Sequence, residues 1–383
     1  MLQRTSQDER GFSLVIVALG LVAFLAAATL AIDIGMFMTA RSQAQNSADA
    51  GALAGAVALV FDNYNDRTTT GPAVQNALMA ARANQVMAHQ VSITSDDVTF
   101  LNDPNGQSDW IRVHVYRTAA RGNPVATLMG VFFGVPTANI DATATAEAAP
   151  ANAATCVKPW AIPDKWLEIQ TPPWDPVNDS FDLYDNKGQG LPDPDVYIPA
   201  DQPGYTGFSH DPAGPDFGIA MMLKAGNPHQ AISASQFYPI AMPGGTGASW
   251  YEANIPGCWP GVMQMGESLP VEPGNMTGPT LSGTQQLIDQ DPAAYWDSTT
   301  QRVVSSYKPS PRIVVLPVFD PVAYENSRQH GRQDITVANM VGFFIEGLQG
   351  NSVYGRLVPA TGLIRGNGPT PGGAFLQAIR LVQ

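Results

Sequence analysis

The sequence is poor in positive charge. Of its 383 residues only 20 are Lys or Arg, against 33 Asp or Glu, and the formal net charge is −13. Proteins that bind nucleic acid neutralise its phosphates with clustered cations, so this composition argues against a nucleic-acid partner. It also provides no polybasic patch for anionic lipid. The acidic excess is typical of a soluble, exposed body.

Motifs of common catalytic sites are lacking as well. The chain has no G-x-S-x-G elbow, no H-E-x-x-H, no P-loop and no Cys-x-x-Cys. Its five His are scattered, without the spacing of metal ligands. We therefore predict a protein that is not an enzyme and needs no cofactor. A hydrolase-like exported enzyme stays open as an alternative, and it would require a pocket that joins a His to a carboxylate or a nucleophile.

Cysteine is scarce, with only Cys156 and Cys258 present. Outside the cytosol such a pair is most simply a disulfide, and closing a loop of this length stabilises by about 4–5 kcal/mol in the chain-entropy model. The alternative is two buried free thiols. We predict the disulfide, because the segment described next would place both residues outside the cytosol.

One long stretch contains no charge at all. It runs from Phe12 to Ile32, and apart from Ser13, Gly20 and Thr29 it consists of Ala, Val, Ile, Leu and Phe. Twenty-one helical residues match the roughly 30 Å hydrocarbon core of a bilayer. The stretch therefore predicts a single membrane-spanning helix.

The charges around this stretch predict its orientation. Arg4 and Arg10 precede it, whereas Arg41 is the only cation shortly after it. Positive residues favour the cytoplasmic side, so we predict a cytoplasmic amino terminus and an exported body. A cleaved signal peptide, with a site near residues 26–28, is the alternative.

The helix is predicted to continue far beyond the membrane. No Pro occurs before residue 60, and Ala recurs at i, i+4 spacing from Ala40 to Ala56, with a second row of small residues at Gly51 and Gly55. Such stripes allow another helix to approach closely. They favour packing either against the protein's own first domain or against other subunits of an assembly. The residues predicted to make this packing contact are Ala44, Ala48, Ala52 and Gly55.

The same region carries a family resemblance. Arg10-Gly11 before the apolar helix, then Asp33-Ile34-Gly35, Arg41, Gln45-Asn46, Ala48-Asp49-Ala50 and Ala52-Leu53-Ala54 together resemble TadE/TadG-like proteins. Those proteins act in tight-adherence (Flp) pilus assembly in bacteria. The resemblance implies an inner-membrane location, a periplasmic body and partners among pilus-assembly or pilin-like proteins.

One residue departs from the pattern of pilin-like precursors. Gly11-Phe12 resembles the processing site of pilin-like precursors, but Ile16 stands where pilins usually carry Glu. The departure favours a retained anchor, as TadG-like members are thought to be, over a major filament subunit.

Asp33 follows the apolar stretch directly, so we expect it either to face headgroups or water, or to pair with a cation on a partner helix.

Residues 61–149 are predicted to form a small α+β domain. A helix begins near Pro72 and extends to about residue 89, and strands are predicted at 91–101 and 110–118 with a turn at 102–106. An apolar helix over 124–133 and a strand over 138–148 follow. The resemblance to TadG-like proteins implies the same order of elements.

Residues 150–383 have a different composition. Beyond residue 150 lie 27 of the 32 Pro and six of the seven Trp, which predicts a β-rich domain with long loops. We predict strands over 312–319, 335–345, 354–358 and 375–382, and one helix over about 280–290. The fold class is therefore α+β, with an anchor over 1–60, a membrane-proximal domain over 61–149 and an exported domain over 150–383.

The exported domain has one acidic segment and several aromatic residues. Asp179, Asp182 and Asp185 are candidates for a calcium site, since hard cations collect carboxylates at such steps, although a solvated turn is the interpretation that we prefer. Aromatic residues from Trp160 to Tyr205 either pack in the core or form a binding surface. An anchored adhesion module is therefore the alternative to the pilus-assembly role that we predict.

Overall fold

The computed structural model describes residues 10–62, 66–102, 109–185, 187–210, 216–227, 230–329, 334–365 and 374–382. A long apolar helix precedes a mixed region in which strands predominate, which confirms the α+β prediction. The turn predicted at 102–106 falls mostly outside the described residues. So do two of the five His, at positions 229 and 330.

The helices differ greatly in length. The first has 52 residues, and its Ala-rich sequence without Pro explains why it continues past residue 60 as predicted. The predicted helix at 280–290 is confirmed but begins three residues earlier. Two short helices were not predicted. The helices are α1 (Arg10–Phe61), α2 (Pro72–Ala83), α3 (Ala248–Ala253), α4 (Thr277–Ile288) and α5 (Pro321–Gln329).

The four strands predicted in the exported domain are all present, as β16, β17, β18 and β20 below. The strands are β1 (Val98–Asn102), β2 (Asp109–Arg117), β3 (Val125–Ala126), β4 (Thr137–Ala138), β5 (Ile140–Pro150), β6 (Ala153–Thr155), β7 (Trp160–Pro163), β8 (Ser180–Phe181), β9 (Ala220–Ala225), β10 (Ile232–Ser233), β11 (Gln236–Pro239), β12 (Val262–Gln264), β13 (Ser268–Pro270), β14 (Tyr295–Asp297), β15 (Arg302–Val304), β16 (Ile313–Phe319), β17 (Asp334–Gln349), β18 (Ser352–Val358), β19 (Ala360–Thr361) and β20 (Leu376–Val382).

The sheet of the domain predicted to be membrane-proximal, which we call the membrane-proximal sheet, has the order β1-β2-β5-β20-β19. Its central strands alternate, so that Ile111, Val113 and Val115 are fully buried on one face. Helices α1 and α2 pack on this sheet and on each other. Alternate residues of β5 from 142 to 148 are all Ala, and these small side chains let α1 lie close to the sheet.

The apolar helix predicted over residues 124–133 is wrong. The segment forms a short hairpin of β3 and β4, closed by a 3₁₀ turn at Gly130–Phe133. Gly134 follows in the left-handed region at φ +79°, which favours glycine and ends the turn. Pro136 then excludes further helix. Helix α2 also stops at Ala83, six residues earlier than predicted.

The region predicted to be the exported domain, which we call the exported domain for brevity, is built on a closed barrel. Strands β17, β16, β7, β11, β9 and β18 pair in that order, and β18 pairs back with β17. Closure leaves none of these six strands with a free edge, which is one way in which β proteins avoid edge-to-edge association. Large apolar side chains fill the interior, among them Trp160, Phe237 and Phe343. Strand β13 pairs with β17 outside the ring.

Candidate functional site

The first half of α1 is exposed and apolar. Most of its side chains from residue 12 to residue 32 are exposed, and beyond the buried Asp33 the side chain of Met38 is still 71% exposed. In the part of the chain that the structure describes, one helix, α1, is long and apolar enough to cross a membrane. A helical segment from 12 to 38 is about 40 Å long, which exceeds the roughly 30 Å of hydrocarbon in a bilayer. The sequence and the exposure together support single-pass anchoring.

The second half of α1 is buried by its own domain. Ala40, Ala44, Ala48, Ala52 and Ala56 are each at most 1% exposed, and this half of the helix lies against α2, β2 and β5. The i, i+4 spacing places all five on one face. Three of the predicted packing residues therefore make contacts inside the chain, which is the first of the two alternatives that the stripe allowed. Contacts with other subunits would have to use the exposed part of α1.

Gly55, the fourth predicted packing residue, lies where α1 approaches both α2 and the sheet. A Cβ atom at this position would overlap Cδ1 of Ile111 and would lie 3.3 Å from the carbonyl oxygen of Ala73 and from Cβ of Ala77. Gly51 is similar, with three neighbouring atoms at 3.1 Å. Glycine is therefore needed here for close approach rather than for an unusual backbone angle.

Polar contacts fix the register of this packing. The hydroxyl of Ser47 is buried and donates to the carbonyl oxygen of Ala81 at 2.7 Å, while the side-chain oxygen of Gln43 accepts from the backbone N–H of Met87 at 2.8 Å. A buried hydrogen bond that loses one partner costs about 1–3 kcal/mol, so a sliding helix is disfavoured. Sequence reasoning did not identify these two residues.

Asp33 connects α1 to a distant segment. Its carboxylate accepts hydrogen bonds from the backbone N–H groups of Leu128 at 2.9 Å, Met129 at 3.2 Å and Gly130 at 2.6 Å. Three consecutive amides around one carboxylate make a strong, charge-assisted contact. Asp33 is 5% exposed. The structure thus gives it an intrachain partner, in place of the water or the partner-helix cation that the sequence suggested.

The two cysteines form the predicted disulfide. Cys156 and Cys258 are joined, and the part of the chain that the structure describes has no free cysteine. Beside the bridge, the Lys158 ammonium donates to the carbonyl oxygen of Gly257 at 2.7 Å. Burial lowers the pKa of Lys158 to about 8. The bridge and this hydrogen bond attach the start of the exported domain to the loop after α3.

The acidic candidates are engaged in their own loops. Asp179 accepts a hydrogen bond from the backbone N–H of Asp175 at 2.6 Å, and Asp185 accepts from two backbone N–H groups at 2.8 Å. Burial, and then the charge of Glu168, raise the pKa of Asp182. Within the described ranges no three His, Cys, Asp or Glu side chains are grouped to hold a metal ion. Calcium binding at these three residues stays a prediction.

The exported domain also contains a buried carboxylate, that of Asp164. Asp164 is fully buried and accepts from the backbone N–H groups of Lys165 and Phe208 at 2.9 Å, and from the hydroxyls of Tyr197 at 2.9 Å and Tyr205 at 2.7 Å. Burial raises its pKa to about 6, against the opposing effect of these four donors. The cluster holds loops together and opens onto neither of the clefts described next.

Two clefts, each of about 410 Å³, lie near the junction of the two domains. The first separates the end of α1, at Phe61, from Trp296 and Val303 of the exported domain, and its lining is mainly apolar. An ion pair of 3.9 Å between Asp62 and Arg302 lies at this cleft. The second cleft adjoins the disulfide. Neither is lined by a His.

The described His residues do not form a catalytic pocket. His114 contacts Asp141 at 3.1 Å and the hydroxyl of Tyr116 at 2.9 Å, but the pair lies on the open surface of β2 and β5. His210 lies edge-on against Phe375. Of the aromatic residues that the sequence singled out, Trp160 and others are buried, which favours their role in the core.

Comparison with known proteins bears on the anchor. Residues 11–58 match the Tad family model, which describes TadE/G-like proteins of Flp pilus assembly. The resemblance that the sequence suggested is confirmed over this region, whereas the C-terminal region is not recognised. No curated protein and no solved structure matches the chain.

Proposed function

We propose that this protein is a membrane-anchored, non-enzymatic component of a tight-adherence (Flp) pilus assembly system. The observation that carries the proposal is the family match over residues 11–58, which coincides with α1. That family is one of pilus assembly and not an enzyme family. The protein would be retained in the inner membrane, with its amino terminus in the cytoplasm and its body in the periplasm.

The rigid attachment of α1 suggests how such a component would act. The apolar first half of the helix would contact lipid and the transmembrane helices of other pilus proteins, while the second half is held against its own domain. A helix fixed in this way would place the exported domain at a set distance and angle from the membrane. That domain would then contact filament or envelope proteins.

The predicted division of the chain is kept as part of this proposal. The anchor would comprise residues 1–60, the membrane-proximal domain 61–149, and the exported domain 150–383, with β20 returned to the membrane-proximal sheet. Ile16 in place of the pilin Glu supports retention rather than polymerisation, since the carboxylate that would neutralise a neighbour's amino terminus is missing.

Gene deletion tests the role in assembly. We expect a deletion strain to lose surface pili and to regain them with the wild-type gene. Affinity purification from solubilised membranes should recover other pilus-assembly proteins with the chain. Normal pili in the deletion strain, with no pilus protein recovered, would refute the assembly role.

Protease protection tests the orientation separately. Protease added to spheroplasts should digest the chain beyond α1, and a cytoplasmic control protein should survive. A chain that stays intact until the membrane is permeabilised would refute the periplasmic body. A chain found free of the membrane fraction would refute retention.

A further inference from the structure

The end of the β3–β4 hairpin, residues 127–135, exposes a cluster of large apolar side chains. We refer to this segment as the hairpin tip. An isolated exposed apolar residue is normal on a soluble protein, but a contiguous group of them marks an interaction site. No charged residue occurs from 122 to 140. The cluster consists of Leu128, Val131, Phe132, Phe133 and Val135, all more than half exposed.

The hairpin tip is a built structure. The hydroxyl of Thr127 donates to the carbonyl oxygen of Val135 at 2.7 Å, and the N–H of Val135 donates to the carbonyl oxygen of Gly130 at 2.9 Å. At the base of the hairpin, Val125 is buried in the core of the membrane-proximal domain. The fold therefore holds the apolar side chains outward, and their exposure does not result from an unstructured loop.

Asp33 places the hairpin tip beside the transmembrane helix. Its carboxylate binds the backbone of residues 128–130, so the tip lies next to α1 at the level of residue 33. The apolar surface of the helix continues past this level to Met38. The exposed surfaces of the helix and of the tip are thus neighbours at the same height.

This continuity indicates what covers the hairpin tip. A helix from 12 to 38 is about 10 Å longer than the hydrocarbon core, so its last turns lie in the interfacial layer of the bilayer. Anything attached at residue 33 lies in or close to that layer. Uncharged, Phe-containing surfaces insert into this region, whereas a polar loop would stay in water.

We propose that the hairpin tip inserts into the bilayer interface beside α1 and gives the chain a second membrane contact. One helix leaves a protein free to rotate and tilt, whereas a second contact displaced from the helix axis restricts both motions. Asp33 acts as the positioning residue, because it joins the two contacts directly. The hairpin tip thus orients the exported domain with respect to the membrane.

Site-specific fluorescence tests the insertion. Because both native cysteines are in the disulfide, a Phe132→Cys variant of the full chain can be labelled selectively with the fluorophore NBD. The matched control is Met79→Cys, an exposed apolar position on α2. The Ser47–Ala81 contact puts that part of α2 about 20 Å further along α1 from the membrane. Each chain is placed singly in a phosphatidylcholine nanodisc, so that no second copy can cover the label.

Insertion predicts a specific pattern of quenching. A segment buried about 5–10 Å below the headgroups should be quenched about twofold more by a nitroxide at lipid carbon 5 than by one at carbon 12. The label at position 79 should be quenched by neither lipid but by aqueous iodide. Quenching of the Phe132→Cys label by iodide alone would overturn the proposal. Lipid exposure that disappears when pilus-assembly proteins are added would instead identify a protein-binding surface and would also overturn it.

Asp33→Asn tests the positioning role. The Asn side chain keeps only one of the two acceptor oxygens, so the backbone N–H groups of residues 128–130 lose part of their hydrogen bonding to α1. We expect lipid quenching of the Phe132→Cys label to fall in this background, while the Met79→Cys label reports an unchanged domain. Unchanged quenching at position 132 would refute the role of Asp33.

Discussion

Replacing Gly55 with Leu should weaken the attachment of α1 to its domain. The first side-chain carbon alone would overlap Cδ1 of Ile111, and the backbone of α2 lies 3.3 Å away at Ala73. Ile111 is fully buried, and the carbonyl oxygen of Ala73 belongs to a packed helix, so neither can move aside freely. A leucine can be accommodated only if α1 moves away from α2 and β2.

The expected magnitude follows from two opposing effects. Adding side-chain carbons to a filled core costs about 1–3 kcal/mol and sometimes more, and four carbons in this space call for the upper end. Leucine regains about 0.8 kcal/mol because it favours the helix more than glycine does. The net loss is about 2 kcal/mol in the free energy of unfolding. For a folded unit of 150–250 residues this lowers the Tm by about 4–8 °C.

Gly35→Leu provides a matched control on the same helix. A Cβ atom at Gly35 meets nothing within 4 Å, so this variant should be as stable as the wild type or slightly more stable. We would measure thermal unfolding of the detergent-solubilised full chain by circular dichroism, and membrane insertion by fractionation. An equal Tm for Gly55→Leu and the wild type would refute the close packing. If Gly35→Leu lowered the Tm as much as Gly55→Leu does, the loss would come from leucine in the helix itself and not from the contact with α2 and β2.

Three further predictions concern the exported domain and its connection to the membrane-proximal sheet. Burial raises the pKa of both Asp164 and Asp195 to about 6. The folded state therefore binds these protons more tightly than the unfolded state, and stability should rise as the pH falls from 7 through 6 towards 4. Asp164 contributes up to about 3 kcal/mol of this rise in the free energy of unfolding. In thermal melting measured at several pH values, the Asp164→Asn variant should lack that contribution. Stability that falls as the pH falls over this range would contradict the argument. Replacing Cys156 and Cys258 with Ser should lower the free energy of unfolding by about 2–5 kcal/mol, and reductant should not change the stability of the double variant. A wild-type chain whose Tm is the same with and without reductant would contradict the disulfide. Removing residues 376–383 should expose the edge of β5 and make the membrane-proximal domain sensitive to limited proteolysis, whereas unchanged fragments would show that β20 is dispensable.

The sequence was most informative where a local pattern determines structure. The length of α1 follows from an Ala-rich stretch without Pro, and β16 and β17 follow from dense runs of β-branched and aromatic residues. Helix α5 was missed although a local signal was present. Asp320 precedes Pro321, and its carboxylate accepts from the N–H of Ala323 at 2.9 Å, which is the chemistry of a helix start.

Contacts between distant residues could not be predicted in this way. Asp33 binds amides that are about 95 positions away, and nothing in its local sequence indicates which partner satisfies the carboxylate. The Ala stripe has the same limitation, since small residues at helical spacing suit an intrachain neighbour and another subunit equally. Only the fold decides between them, and it places α2 and β5 on the stripe.

The path of the chain also indicates how the two domains act together. Strand β5 leads out of the membrane-proximal sheet into the exported domain, and β20 returns from it to pair with β5. The ion pair between Arg380 and Glu147, 2.6 Å long, lies across these two strands. A domain joined at both of its ends cannot swing on one linker as a tethered domain does. Since β5 also contacts α1, a tilt of the membrane helix must be carried through this sheet into the barrel.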